Sequence, residues 1–373
     1  MKKDLRGLEG LYELLGDPFD SPVAAVDTST IPERLRGVLG VPPRPDTIEV
    51  LEDGRWTRAG IEGTRLRWNV GFGPDTQAWL LRPQGARGPL PGVLALHCHG
   101  GQKFFGKEKI ADGPEERLAP QIAQLRRRLY GGRALAEVVA ARGYAVLVHD
   151  VFGWGSRRYP EEFLPPRAVQ SARHVLAATE RSLSTPERYD VLAGFGEDTM
   201  AKTLGLLGTS WGGVVAREDL IAARVLRERV ETRDEGIVAV GLSGGGARAG
   251  ILSALAAADV RAAGIVSMMS TFGDILDGWL HFHTWMLMNP GMARVGEWPD
   301  IVASRAPRPL FVSYSLDDRI IPRRGMERAD ARLREFYASA GATVAYRSHF
   351  GSRPHSFSVE AQEAFLEWMG SLP

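Results

Sequence analysis

The stretch Gly236-Ile-Val-Ala-Val-Gly-Leu-Ser-Gly-Gly-Gly-Ala-Arg-Ala-Gly-Ile-Leu-Ser-Ala-Leu255 decides how the rest of the chain is read. Ile237 to Val240 is a short β-branched apolar run suited to a strand buried on both faces, and Ala247 to Ala257 reads as a helix of small residues. Between them, Gly241-Leu-Ser-Gly-Gly245 asks the chain to turn from strand to helix within a few residues. Glycines on both sides of such a turn remove Cβ atoms that would collide with the returning backbone, and the side chain at the apex is pushed outward. Ser243 is therefore a candidate nucleophile.

Working outward, buried strands and helices alternate from Pro91 onward: Val93-Leu-Ala-Leu96, a helix over 132–142 ended by Gly143, and Tyr144-Ala-Val-Leu-Val-His-Asp150. After the central stretch come Ala263-Gly-Ile-Val-Ser-Met-Met269, Leu310-Phe-Val-Ser-Tyr314 and Val344-Ala-Tyr346. This alternation predicts an α/β fold: a mostly parallel sheet of about eight strands, right-handed crossovers and helices on both faces. Ligands of such sheets sit beyond the carboxyl ends of the strands. Upstream, Ile48 and Val50, then Leu66, Trp68 and Val70 alternating with Arg65, Arg67 and Asn69, have the period of half-buried antiparallel strands at one edge.

The first 45 residues read as a helical extension, with Leu8, Leu11, Tyr12 and Leu15 forming the apolar face of a helix over 5–16 that packs on the body. Glu197 to Val230 also reads as mostly helical, its charges, among them Arg217, Glu218 and Asp219, on a solvated face. With no repeat or linker, residues 1–373 are expected to form one domain. Residues 271–300, which include Trp279-Leu-His-Phe-His-Thr-Trp-Met-Leu-Met-Asn-Pro290, would be an insertion serving as a lid or pocket wall.

Apolar residues make up 44% of the chain, enough for a sizeable core, while 46 Lys+Arg against 45 Asp+Glu give no reason to expect a nucleic acid or an anionic membrane as partner. The single Cys98 excludes an internal disulfide. The first residues lack an apolar signal-peptide core, and no run approaches the roughly 18 apolar residues of a membrane span, so a soluble, cytoplasmic protein is expected.

A serine hydroxyl becomes a useful nucleophile only when a base takes its proton, an acid orients the base and donors stabilise the oxyanion. Ser315-Leu-Asp-Asp-Arg-Ile-Ile-Pro322 places Asp317 and Asp318 on a loop after a strand, and both His349 and His355 follow the last expected strand. The Gly244 N–H, next after the nucleophile, is one expected oxyanion donor. The second should come from His97-Cys-His-Gly-Gly-Gln102, where Gly101 is the first choice and Gln102 the second. Gly208-Thr-Ser-Trp-Gly212 matches the same five-residue pattern, but Thr199 to Leu207 before it is not strand-like, so Ser210 is read as part of a helical turn. Of His97, Cys98 and His99, only the two histidines would share a strand face, with no carboxylate spaced to complete a site, so no metal or cofactor is expected. Lys107 and Lys109 read as surface charges, with contact to an anionic substrate as the alternative, and Gln102, Trp154, Trp211, His283 and Trp285 as candidate pocket residues.

Four segments carry a family resemblance: His99-Gly-Gly-Gln-Lys-Phe-Phe-Gly-Lys-Glu-Lys109, His149-Asp-Val-Phe-Gly-Trp-Gly-Ser156, Gly241-Leu-Ser-Gly-Gly245 and Ala306-Pro-Arg-Pro-Leu310. From about residue 90 to its end the chain resembles serine esterases of the α/β-hydrolase superfamily, in the bacterial branch related to dienelactone hydrolases and acetyl xylan esterases. The resemblance implies a catalytic order of Ser, Asp, His, which disqualifies Asp150 as the acid and leaves its loop, Phe152 to Ser156, as pocket lining. It favours Asp318 over Asp317, through Asp318-Arg-Ile-Ile-Pro322, and His355 over His349, through Pro354-His-Ser-Phe357. The activity it implies is that of a cofactor-independent carboxylesterase on a small ester, such as an acetylated carbohydrate. A peptidase or lactonase would use the same triad, and a non-catalytic binding relative is the reading of a different class.

Overall fold

The computed structural model describes residues 2–16, 19, 21–115, 117–179, 182–229 and 231–373. Its strands are β1 (Val50–Arg58), β2 (Ile61–Trp68), β3 (Thr76–Pro83), β4 (Gly92–Leu96), β5 (Ala145–His149), β6 (Ile237–Leu242), β7 (Val260–Val266), β8 (Leu310–Ser315) and β9 (Tyr346–Gly351). They form a single sheet in the order β1-β2-β3-β5-β4-β6-β7-β8-β9. The edge from β1 to β5 is antiparallel, and from β5 through β4 to β9 every pairing is parallel.

Every residue of β4, β5, β6 and β8 is buried, as the apolar runs require of strands covered on both faces. Alternate side chains feed two cores. Leu94, Leu96, Ala239, Ile265 and Val312 enter one, and Val93, Ala95, Val238, Val240 and Phe311 the other. Among the described residues no helix is long and apolar enough to cross a membrane.

Several local expectations change. The helix expected over 132–142 is only Leu135–Ala140, because Gly131 and Gly132 both turn at positive φ behind a separate helix, Pro120–Leu129. The last strand starts at Tyr346, where it was expected to end, since Thr343–Ala345 is a 3-10 turn. His349 therefore lies within β9, opposite Ser313 of β8, and not on the loop beyond it. At the amino terminus, the helix Glu9–Leu15 leaves Leu8, Leu11 and Leu15 about half exposed or more. The segment that anchors the extension is the helix Ile31–Leu39, whose Ile31, Leu35 and Leu39 are fully buried.

On the helix Trp211–Arg227 the charges near its end, Arg224 and Arg227, are partly exposed as expected, but the three in its middle are not solvated. Arg217, Glu218 and Asp219 are all buried. Glu218 pairs with Arg157 at 2.6 Å and accepts from the Phe152 N–H, while Asp219 pairs with Arg248 at 2.6 Å and with His149 at 3.0 Å. These partners come from distant parts of the chain, so helical periodicity alone carries no sign of them. Once paired and hydrogen-bonded, the charges can be kept inside.

Candidate active site

Ser243 stands between β6 and the helix Gly244–Leu255 with φ +58° and ψ −124°, a conformation few L-residues adopt and one that lifts its side chain off the sheet. The glycines around it are required sterically. A Cβ on Gly241 would overlap the Gly245 backbone, and one on Gly245 would overlap the Leu96 carbonyl. The Ser243 N–H donates to Val266 O at 2.9 Å, which fixes the turn to β7.

Ser243 opens onto a cavity of about 790 Å³ beyond the carboxyl ends of the strands, and Gly244, Gly101 and His355 line the same space. His355 Nδ1 lies 2.6 Å from Asp318 Oδ2, and Asp318 Oδ1 accepts from the Ile320 N–H at 2.8 Å. Asp318 is buried and so oriented, whereas Asp317 is exposed. His349 contacts Ser313 Oγ through Nδ1 at 3.1 Å and does not line the cavity. The His355 loop is tied on both sides. The Ser356 carbonyl accepts from Ser267 Oγ at 3.0 Å and from Ser315 Oγ at 3.3 Å, and the Phe357 N–H donates to Leu129 O at 2.8 Å.

Ser210 is placed quite differently. It caps the helix Trp211–Arg227, accepting from the Gly213 N–H at 3.0 Å and donating to Leu39 O at 2.7 Å. A Cβ on Gly213, just beyond the pattern, would overlap Leu39 O, and one on Gly212 would overlap Asn289 Nδ2 and the Met286 carbonyl, so the start of this helix is packed closely on both neighbours.

The loop after β4 is held by groups that the sequence reading placed elsewhere. Lys107 and Lys109, expected at the surface, are buried. Lys109 Nζ donates to the carbonyls of Cys98 at 3.0 Å, His99 at 2.9 Å and Gln102 at 2.6 Å, and its burial lowers its pKa to about 8. Lys107 pairs with Asp150 at 2.8 Å. Burial works against its charge, but Asp150 and Glu108 together hold its pKa above the ordinary lysine value. Asp150 is thereby a buried counter-ion, which also accepts from the Ser156 N–H.

His99 was weighed only as a metal ligand, yet it lines the cavity and meets Glu197 Oε1 through Nε2 at 3.1 Å. Glu197 also pairs with Lys103 at 2.7 Å, and Lys103 Nζ lies 4.0 Å and 4.5 Å over the rings of Trp154 and Trp211. Burial opposes ionisation of Glu197, but His99 and Lys103 outweigh it and bring its pKa down to about 2. Nothing local in the sequence announces Glu197, which sits on the helix Thr185–Leu206. The Gly101 N–H donates to His99 Nδ1 at 3.1 Å, and the Gln102 N–H to His99 O at 3.3 Å.

Of the expected pocket residues, His283 lines the cavity. Trp154 and Trp211 are buried in an aromatic cluster behind the loop, and with them the segment Phe152 to Ser156, expected as lining, lies outside the cavity wall. Gln102 is not among the lining residues, and Trp285 faces a neighbouring apolar groove. The wall contributed by residues 271–300 is Phe282, His283, Thr284, Met286 and Leu287, and Arg128 and Arg319 complete a lining that no sequence pattern had marked. His97 contacts its neighbour's carbonyl, Cys98 O, at 3.1 Å. No cluster of three or more His, Cys, Asp or Glu that could hold a metal ion occurs among the described residues.

No protein-family model matches the chain. It is 24% identical over 340 residues to "Putative hydrolase YtaP" of Bacillus subtilis (strain 168), a match covering 90% of this chain and 89% of that one. Among solved structures it is similar to a "putative acetyl xylan esterase (BF1801)" from Bacteroides fragilis NCTC 9343, with a TM-score of 0.64 and 17% identity over 87% of this chain and 74% of that one. It is also similar to a glucuronoyl esterase from Solibacter usitatus, with a TM-score of 0.58 and 15% identity over 94% of each chain.

Proposed function

We propose, from the α/β-hydrolase fold that this chain adopts, that it is a serine esterase in which Ser243 is the nucleophile, His355 the base and Asp318 the acid. The observation that carries the proposal is the pairing of His355 Nδ1 with Asp318 on the wall of the cavity into which the strained Ser243 turn opens. A proton on Nδ1, donated to the carboxylate, leaves the Nε2 lone pair free to take the serine proton. Ser243 Oγ then bonds to the ester carbonyl carbon, the imidazolium returns the proton to the departing alcohol, and water repeats the sequence on the acyl-enzyme. The Gly244 N–H, at the first turn of its helix, is one donor to the oxyanion. Gly101, the proposed second donor, gives its N–H to His99 Nδ1, so an oxyanion must exchange for that hydrogen bond. The esterase names of two structural relatives support an ester substrate over an amide.

A fluorophosphonate probe tests the assignment. Wild type and Ser210→Ala should be labelled and Ser243→Ala should not. Labelling that survives in Ser243→Ala and disappears in Ser210→Ala would refute it.

A further inference from the structure

The cavity that holds Ser243 and His355 has an unbalanced charge. Arg128, near the end of the helix Pro120–Leu129, and Arg319, beside Asp318 on the loop after β8, both line it and both are solvent-exposed. Among the described residues neither has an ion-pair or hydrogen-bond partner, in a molecule where most arginines are paired. No described Asp or Glu lines the cavity, and the acids just behind it are already engaged, Asp318 by His355 and Glu197 by Lys103 and His99. Much of the remaining wall is apolar, including Leu129, Met268, Phe282, Met286 and Leu287. His283 adds a buried Nε2 with no hydrogen-bond partner. Burial and the nearby His355 lower the His283 pKa to about 4, so its ring is neutral near pH 7 and offers either a donor or an acceptor.

We infer that the substrate is an ester that also carries a carboxylate, on its acyl or its alcohol part, and that Arg128 and Arg319 receive this anion while Ser243 attacks the ester carbonyl. The inference rests on the esterase reading above. A guanidinium presents two N–H groups side by side, in the geometry of a carboxylate. A neutral acetylated sugar would use neither arginine.

Matched pairs of equal length separate the possibilities: monomethyl against dimethyl glutarate for an anion on the acyl side, and O-acetyl-lactate against its methyl ester for one on the alcohol side. In wild type, kcat/KM for the charged member of at least one pair should exceed the neutral member by about tenfold, the worth of one charge-assisted hydrogen bond. That preference should shrink as salt is added, through a rising KM. In Arg128→Gln/Arg319→Gln, whose folding is checked by circular dichroism, the preference should disappear. Turnover of both members without preference, or a preference indifferent to the double substitution, overturns the inference and leaves the esterase reading intact. Labelling of Ser243 without turnover of either charged ester also overturns it. If Ser243 is not labelled and no ester is cleaved, the reading beneath it fails instead.

Discussion

At the scale of single residues, the two adjacent aspartates make the sharpest comparison. Asp318 is buried with both oxygens committed, one to His355 and one to the Ile320 N–H, while Asp317 is exposed. Asp318→Asn keeps the shape but can offer His355 an N–H where it needs an acceptor, which favours the wrong tautomer. The drop in kcat on p-nitrophenyl acetate should be on the order of 10⁴-fold, with little change in Tm. Asp317→Asn should leave kcat close to wild type, and comparable losses in the two variants would contradict the assignment. The strand-to-helix turn at Ser243 was legible because its glycines follow a β-branched run, so the pattern and its context agree. Ser210 has the glycines without the strand, and there it caps a helix and donates to the Leu39 carbonyl. Choosing between Asp317 and Asp318, by contrast, required a family resemblance, since adjacent loop residues have no periodicity to separate them.

At the scale of an element, the loop from His97 to Lys109 depends on a buried ammonium ion. Three carbonyls of the tight turn converge on Lys109 Nζ, and a side chain without donors would strand the Gln102 carbonyl and leave those of Cys98 and His99 with one partner each, His97 Nδ1 and the Gln102 N–H. Lys109→Met should therefore cost on the order of 1–3 kcal/mol in chemical denaturation, the penalty of one stranded buried acceptor. It should also lower kcat more than it raises KM, because the turn positions the Gly100-Gly101 backbone beside Ser243. A variant as stable and active as wild type would show that the cage is incidental. This element was the least legible part of the site. Lys-Glu-Lys in a polar run has the composition of a solvated surface, and only the three-dimensional convergence of backbone carbonyls makes it an interior. The buried charges Glu218 and Asp219 of the helix Trp211–Arg227 escape a local pattern for the same reason, their partners Arg157, His149 and Arg248 lying far away in sequence.

At the scale of the whole molecule, the sheet was readable because its buried strands are short, mainly apolar runs and Gly or Pro punctuates the crossovers. In the long excursion between β5 and β6 the helical character of residues 197–230 was readable, but the way it is attached was not, because that is fixed by polar contacts with distant residues. Glu197 within it joins His99 and Lys103, and Asp190 accepts from the N–H groups of Lys103 and Phe104 at 2.6 and 2.8 Å. Stability should follow. The folded-state pKa of Glu197 is about 2, below the value of about 4.3 for an unfolded glutamate. Because the folded value is the lower one, the stabilisation is present in full above about pH 4.3 and lost as the pH falls through that value towards 2, on the order of 3 kcal/mol in all. Thermal melts across that window should fall less steeply for Glu197→Gln than for wild type, although the variant begins from a lower Tm at neutral pH with Lys103 left unpaired. Parallel melting curves would refute this account. The Glu197 pairing also bears on protein engineering. Grafting the loop that follows β4 into another protein of this fold would import a buried cation without its counter-ion, so the recipient must also receive the helix Thr185–Leu206, and the two segments, some ninety residues apart in the chain, form one transferable cassette.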